Sequence, residues 1–313
     1  VLRGFTVLAE AIEAARERLA ALPATQARLR EGGELVLEEI HASCRLAGVE
    51  LSLEQLRGLI ERGIAGGEHP LRAYLIARGY AGAARSVAAA PAPRAGRPFL
   101  RVEEIGDLHA RATELQPEAA PGTWRTTTFA PFRGGMVPPP FWLVPREVAA
   151  FVDRLAPGAP PGTPPVVWVA EAHERFERIH PFSAGNGRVG RLLANLLLRK
   201  CGLPPFSVRI RDAERYLAAL RRADSRDPWP LAAIIGRSVR AALARLIAAG
   251  SESARDALLP LTELAPLAER DTLYKAAQRG GLQVVRLRGT LYTTPAWLEE
   301  HRENGRRRKR GGT

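Results

Sequence analysis

The run Ile179-His180-Pro181-Phe182-Ser183-Ala184-Gly185-Asn186-Gly187-Arg188-Val189-Gly190-Arg191 gathers an imidazole, two guanidiniums and a Gly-Asn-Gly turn within thirteen positions. Pro181 stops a helix that ends near Ile179, a loop of small residues follows, and a new helix starts near Arg188. The backbone N–H groups of Gly185, Asn186 and Gly187 then lie at a helix N-terminus, where unpaired donors and the helix dipole favour an anion. Arg188 and Arg191, three apart, share a helix face and can converge on that anion. His180 lies at the other end of the loop. Its ordinary pKa of ~6.5 suits removal of a hydroxyl proton near neutrality. An anion nest, two arginines and a histidine base amount to phosphoryl or nucleotidyl transfer. A lone Gly-Asn-Gly is ordinarily a solvated turn, but here the whole run agrees in residue type and spacing.

These groups need a frame, and apolar residues recurring three and four apart predict that it is helical. Helices are expected over Leu8–Leu22, Leu35–Ala47 and Ser52–Arg62, the last capped by Ser52. Pro91, Pro93 and Pro98 make 90–98 a connector. Further helices are expected over Val102–Leu115, Arg146–Leu155, Val166–Ile179, Val189–Arg199, Ala213–Ala223 and Pro230–Ala249. Gly122–Phe129, rich in β-branched and aromatic residues, reads as strand and turn before Pro138-Pro139-Pro140. After a polar boundary near Gly250–Arg255 the pattern changes. Leu258–Gly280 reads as helix, turn, helix, with Asp271 capping the second helix. Leu282–Thr294 reads as a β-hairpin broken at Arg288-Gly289, a short helix Pro295–His301 follows, and Arg306–Arg310 is a solvated basic tail. The fold class is mainly α with a little β.

The 313 residues are 46% apolar and 25% charged, a globular profile long enough for two or three domains. Lys plus Arg is 46 against 33 for Asp plus Glu, a formal charge of +13. Only Lys200, Lys275 and Lys309 are lysines, so the arginine excess in an alanine-rich background also fits a GC-rich bacterial genome. Two distant cysteines, Cys44 and Cys201, exclude a disulfide scaffold and a zinc ribbon and suit a reducing cytoplasm. No apolar stretch is long enough to span a membrane. Val1 opens an amphipathic run rather than a signal peptide, without an initiator Met.

The run 179–191 resembles the signature of Fic-domain (Fido superfamily) proteins, written HPFx(D/E)GNGRxxR. Ala172–Ile179 and Leu192–Leu198 resemble the helices that flank it. Pro121-Gly122-Thr123-Trp124-Arg125, ahead of Val137-Pro138-Pro139, resembles the family's β-hairpin flap, and Tyr216 and Trp229 sit where its C-terminal core helices carry such residues. The resemblance implies a Fic fold, a helical bundle with a small hairpin flap, and transfer of AMP from ATP to a Ser, Thr or Tyr hydroxyl of a protein. It implies His180 as the base and Gly185, Asn186, Gly187 and Arg188 as phosphate holders. Arg191 would clamp the γ-phosphate and Phe182 would anchor the loop. A protein substrate would be held at the flap near 123–137. The donor would be ATP or another nucleotide.

One position departs from the signature. The acidic residue that normally holds Mg²⁺ is Ala184 here, and a methyl cannot ligate a hard cation, which leaves Mg²⁺ in doubt. An inactivating substitution, a degenerate binder and metal-poor chemistry stay open as explanations. Upstream, Ser43–Glu54 resembles the family's inhibitory helix, (S/T)xxxE(G/N), with Ser43 and Gly48 in place but Ala47 where the glutamate would stand. An ordinary amphipathic helix would look the same. The expected division is an N-terminal helical region 1–95, a Fic core 96–250, a winged helix-turn-helix-like domain 255–305 and a basic tail 306–313. The C-terminal module resembles MerR-type winged helices. It would meet duplex DNA through Lys275, Arg279, Arg286, Arg288 and the tail, or dock a protein instead. The rival to catalysis is a non-catalytic Fic-fold regulator that binds DNA.

Overall fold

The computed structural model describes residues 2–22, 26–94, 96–130, 136–224, 227–250, 259–261, 267–287, 289–294, 297–298, 301–302 and 304. Helices dominate. They are α1 (Leu2–Ala21), α2 (Gln26–Leu46), α3 (Leu53–Arg62), α4 (Leu71–Ala88), α5 (Val102–Thr113), α6 (Val144–Leu155), α7 (Pro165–Ile179), α8 (Asn186–Lys200), α9 (Ala213–Asp224), α10 (Trp229–Gly250) and α11 (Leu267–Gln278). The strands are β1 (Leu259–Pro260), β2 (Val285–Leu287) and β3 (Thr290–Thr293). Among the described residues no helix is long and apolar enough to cross a membrane. The chain forms two compact units, one of Val1–Ala9 with Gly33–Ser238 and the other of Glu10–Gly32 with Val239–Thr313.

In the first unit α8 is the central element, packed against α4, α5 and α7. Its Leu192, Leu193, Leu197 and Leu198 are fully buried, each stabilising the fold by roughly 2 kcal/mol relative to exposure. Local chemistry sets the ends of its neighbours. Ser52 caps α3 in a reciprocal box: Gln55 N–H donates to Ser52 Oγ at 3.1 Å, and Ser52 N–H donates to Gln55 Oε1 at 2.8 Å. Pro165 opens α7 at a position where its missing N–H costs nothing.

Three local expectations differ from the structure. Helix α4 forms over a stretch for which spacing predicted no element. Residues 123–130 form no strand, and Met136 makes only an isolated bridge, so no hairpin is present there among the described residues. Asp271 lies inside α11, which begins at Leu267, so it is not an N-cap. In the second unit β2 and β3 form the hairpin that the alternating pattern predicts, with Val285 opposite Tyr292 and Leu287 opposite Thr290, and β1 adds to β3 to give an antiparallel sheet of order β1-β3-β2. Leu261, Leu273, Leu282, Leu291 and Leu298 form its core. Where the first helix of the helix-turn-helix was expected to begin, Leu259–Pro260 forms the edge strand β1, a place where the missing N–H of Pro260 is tolerated. Residues 262–266, Arg288 and the tail 306–313 lie outside the described residues.

Candidate active site

Helix α7 ends where His180 turns left-handed, at φ 49° and ψ 59°, its N–H still donating to Phe176 O at 3.0 Å. A non-glycine residue there carries strain of order 1 kcal/mol and must be held. Arg125 holds it. Its Nε donates to His180 O at 2.8 Å and its backbone N–H to Pro181 O at 2.9 Å. Further bonds run from the guanidinium to Thr127 O at 2.7 Å and to Pro139 O. Burial pushes the Arg125 pKa down. Phe182 is wholly buried beneath the loop, its ring stacked on His109 with centroids 3.7 Å apart. Asn186 locks the turn by donating from Nδ2 to Phe182 O at 2.7 Å and accepting the Phe182 N–H at Oδ1, 2.9 Å away. Gly185 then starts α8 at φ 80°, and no side chain caps the first turn.

This arrangement opens on a cavity of about 880 Å³. His180, Gly185, Asn186, Gly187, Arg188 and Arg191 all line it, as do Ala47, Ala184 and Tyr216. Phe182 lies beneath rather than on the wall, and Trp229 lies elsewhere, edge-on to Phe5. Arg188, 8% exposed, donates from Nη2 to Gln116 Oε1 at 3.0 Å, while its buried Nη1 has no hydrogen-bond partner among the described residues. Arg191 donates from Nε to Ser43 Oγ at 2.7 Å and from Nη2 to Ser43 O at 3.1 Å. Ser43 in turn donates to Glu39 Oε1 at 2.9 Å, which also accepts the Tyr80 hydroxyl at 2.6 Å. Burial raises the Glu39 pKa against these bonds and the Arg191 charge. His180 Nδ1 is 3.3 Å from Glu177 O. A carbonyl can only accept, so Nδ1 is the donor, and in the neutral ring the lone pair is then on Nε2.

The run 179–191 was legible as one site because it is contiguous. The sequence marks Arg125 only as part of the flap, and it carries no signal that points to the supports His109, Gln116, Glu39, Tyr80 and Glu177. His109, Gln116 and Tyr80 meet Ala184, Arg188 and Glu39 across 75, 72 and 41 positions, which no local spacing can reveal. Flap residues 123–130, 136 and 137 do not line the cavity. Mg²⁺ does not fit the residues present. Position 184 offers no side-chain oxygen, its carbonyl already accepts His109 Nε2–H at 3.1 Å, and no metal-binding group of three His, Cys, Asp or Glu exists among the described residues.

Residues 99–198 match the model of the Fic/DOC family. Over 262 residues the chain is 26% identical to the protein adenylyltransferase Fic of Nematostella vectensis, covering 83% of this chain and 58% of that protein. It is likewise 26% identical over 219 residues to protein adenylyltransferase fic-1 of Caenorhabditis elegans, covering 70% and 42%. The chain thus spans about half the length of these relatives. Its fold resembles that of a Fic-1 fragment from C. elegans with a TM-score of 0.70 at 24% identity, over 80% of this chain and 73% of that one. A Fic-domain signaling protein from Bacteroides thetaiotaomicron gives 0.70 at 23% identity, over 78% and 96%. Residues 99–198, which carry the run 179–191, are thus the part of the chain that is similar to the Fic/DOC family.

Proposed function

We propose that the chain is a Fic-type transferase that moves AMP from ATP onto a Ser, Thr or Tyr hydroxyl of a protein. The observation that carries this reading is the convergence of His180, the α8 N-terminus and two buried arginines on one cavity. The shared name of the relatives, protein adenylyltransferase, supports the reaction class. In this reading the hydroxyl oxygen attacks the α-phosphorus and its proton passes to His180 Nε2. The bond from the α-phosphorus to the β-phosphate oxygen breaks and pyrophosphate leaves. Gly185, Asn186 and Gly187 contribute backbone N–H groups to the phosphates, since the Asn186 amide is committed to Phe182. Arg188 and Arg191 supply charge-assisted bonds, Phe182 fixes the loop, and the segment 123–137 receives the target chain. Ala47 leaves the Arg191 side without the carboxylate of an inhibitory helix, and Ser43 takes part of that place.

The test is incubation with labelled ATP followed by intact mass. An AMP adduct is expected on a protein hydroxyl. His180→Ala should abolish it while leaving ATP affinity nearly unchanged, because the base touches the hydroxyl and not the phosphates. Transfer surviving within about tenfold would remove His180 from the role of general base.

A second reading concerns the C-terminal unit. Lys275 in the last turn of α11, Arg279 just beyond its end and Arg286 on β2 are all exposed, which suits the phosphates of duplex DNA. A Fic-fold regulator without turnover would use this face.

A further inference from the structure

The loop before α8 turns its oxygens back into the protein. Phe182 O and Asn186 Oδ1 are engaged with each other's residue, at 2.7 and 2.9 Å. Ser183 Oγ donates to Ala119 O at 3.2 Å, Ala184 O accepts His109 Nε2–H at 3.1 Å, and Gly185 O accepts the Val189 N–H at 3.0 Å. Position 184 adds only a methyl. What the loop and the first turn of α8 present to the cavity is therefore donors, the helix-terminal N–H groups and the guanidiniums of Arg188 and Arg191. Arg188 Nη1 is buried without an acceptor among the described residues, a cost that a ligand oxygen would remove. The wall also carries two carboxylates away from this loop, Glu50 and Glu177, of which Glu177 acts on the Arg191 charge.

We infer that this cavity takes its phosphate-bearing ligand as the metal-free anion, with Arg188, Arg191 and the α8 N-terminus supplying the positive charge. The inference rests on the nucleotide reading above and narrows it to one ionic form of the ligand. Mg²⁺ demands oxygen ligands in near-ideal octahedral geometry, and the loop brings no carboxylate to it, position 184 being a methyl. Excess Mg²⁺ also withdraws free ATP from solution, so it leaves binding unchanged or weakens it.

Calorimetric titration of the full chain with ATP, in EDTA and in excess Mg²⁺, tests this. The affinity in EDTA is expected to equal or exceed that in Mg²⁺. Arg188→Met, which keeps the length and apolar stem of the side chain, should weaken binding in EDTA by at least about tenfold in a protein of normal thermal stability. Tightening by Mg²⁺ beyond about threefold, or a smaller loss in Arg188→Met, overturns the inference while leaving the nucleotide reading standing. ATP binding in neither condition overturns both.

Discussion

His109 makes two bonds that a single neutral tautomer must serve. Nδ1 accepts the Gly122 N–H at 2.9 Å, and Nε2–H donates to Ala184 O at 3.1 Å. Burial is the main reason its pKa falls to about 4; the Ala184 carbonyl opposes that fall and the Arg188 charge adds to it. The unfolded ring titrates near ~6.5, so above that pH neither state binds the proton. As the pH falls from about 6.5 to about 4 the unfolded chain takes the proton first, and the fold loses on the order of 3 kcal/mol from this group. Thermal melts should show wild type losing stability across that window, with a shallower loss in His109→Gln. Parallel pH profiles for the two proteins would remove His109 from the acid response. The neighbouring residue tests the family's chemistry directly. Ala184 is exposed, so Ala184→Glu is accommodated and restores the carboxylate of the signature. The expected outcome by intact mass is an AMP adduct whose yield rises with Mg²⁺, a dependence that the wild-type adduct does not share. A folded variant with no gain would mean that the cavity differs from the Fic signature's chemistry by more than one residue.

Helices α7 and α8 can approach as closely as they do because position 190 has no side chain. A Cβ there would lie 2.5 Å from Glu177 Oε1 and 3.0 Å from the His173 ring. Both are buried, so Gly190→Ala forces a shift and should cost about 1–3 kcal/mol by denaturant unfolding. A loss below about 0.5 kcal/mol would show that the Glu177 carboxylate swings aside freely. The frame built by such contacts was only partly legible in the sequence. Helices α5 to α8 followed from leucine, valine and isoleucine spacing and from Pro181. Helix α4 did not, because its buried face includes Ala77, Ala81, Ala83 and Ala84, which carry weak apolar contrast. Gly79 belongs to the same economy, since a Cβ there would lie 3.0 Å from Ala112 O on α5. The segment 122–129 failed in the opposite sense. Its β-branched and aromatic residues suit a strand, but Arg125 ties it to the carbonyls of His180 and Pro181 rather than to a neighbouring strand.

At the scale of the whole chain the formal charge of +13 raises the question of what the basic surface meets. In the C-terminal unit the leucine core around Leu273 and Leu291 leaves Lys275, Arg279 and Arg286 outside, so their charge is available to a partner rather than spent on folding. If that partner is duplex DNA, each phosphate neutralised releases counterions, and log K falls against log salt with a slope of about −0.9 per contact. The full chain should then bind a labelled random duplex at low salt, read by fluorescence anisotropy, and lose it steeply as salt rises. Combining Lys275→Ala with Arg279→Ala should weaken binding and flatten the slope by roughly two contacts' worth if both residues sit on phosphates. If they reach base edges instead, the slope holds and the preference between duplexes changes. No binding even at low salt would assign the face to a protein partner, and equal slopes with equal preference in both proteins would place the DNA contacts elsewhere in the chain.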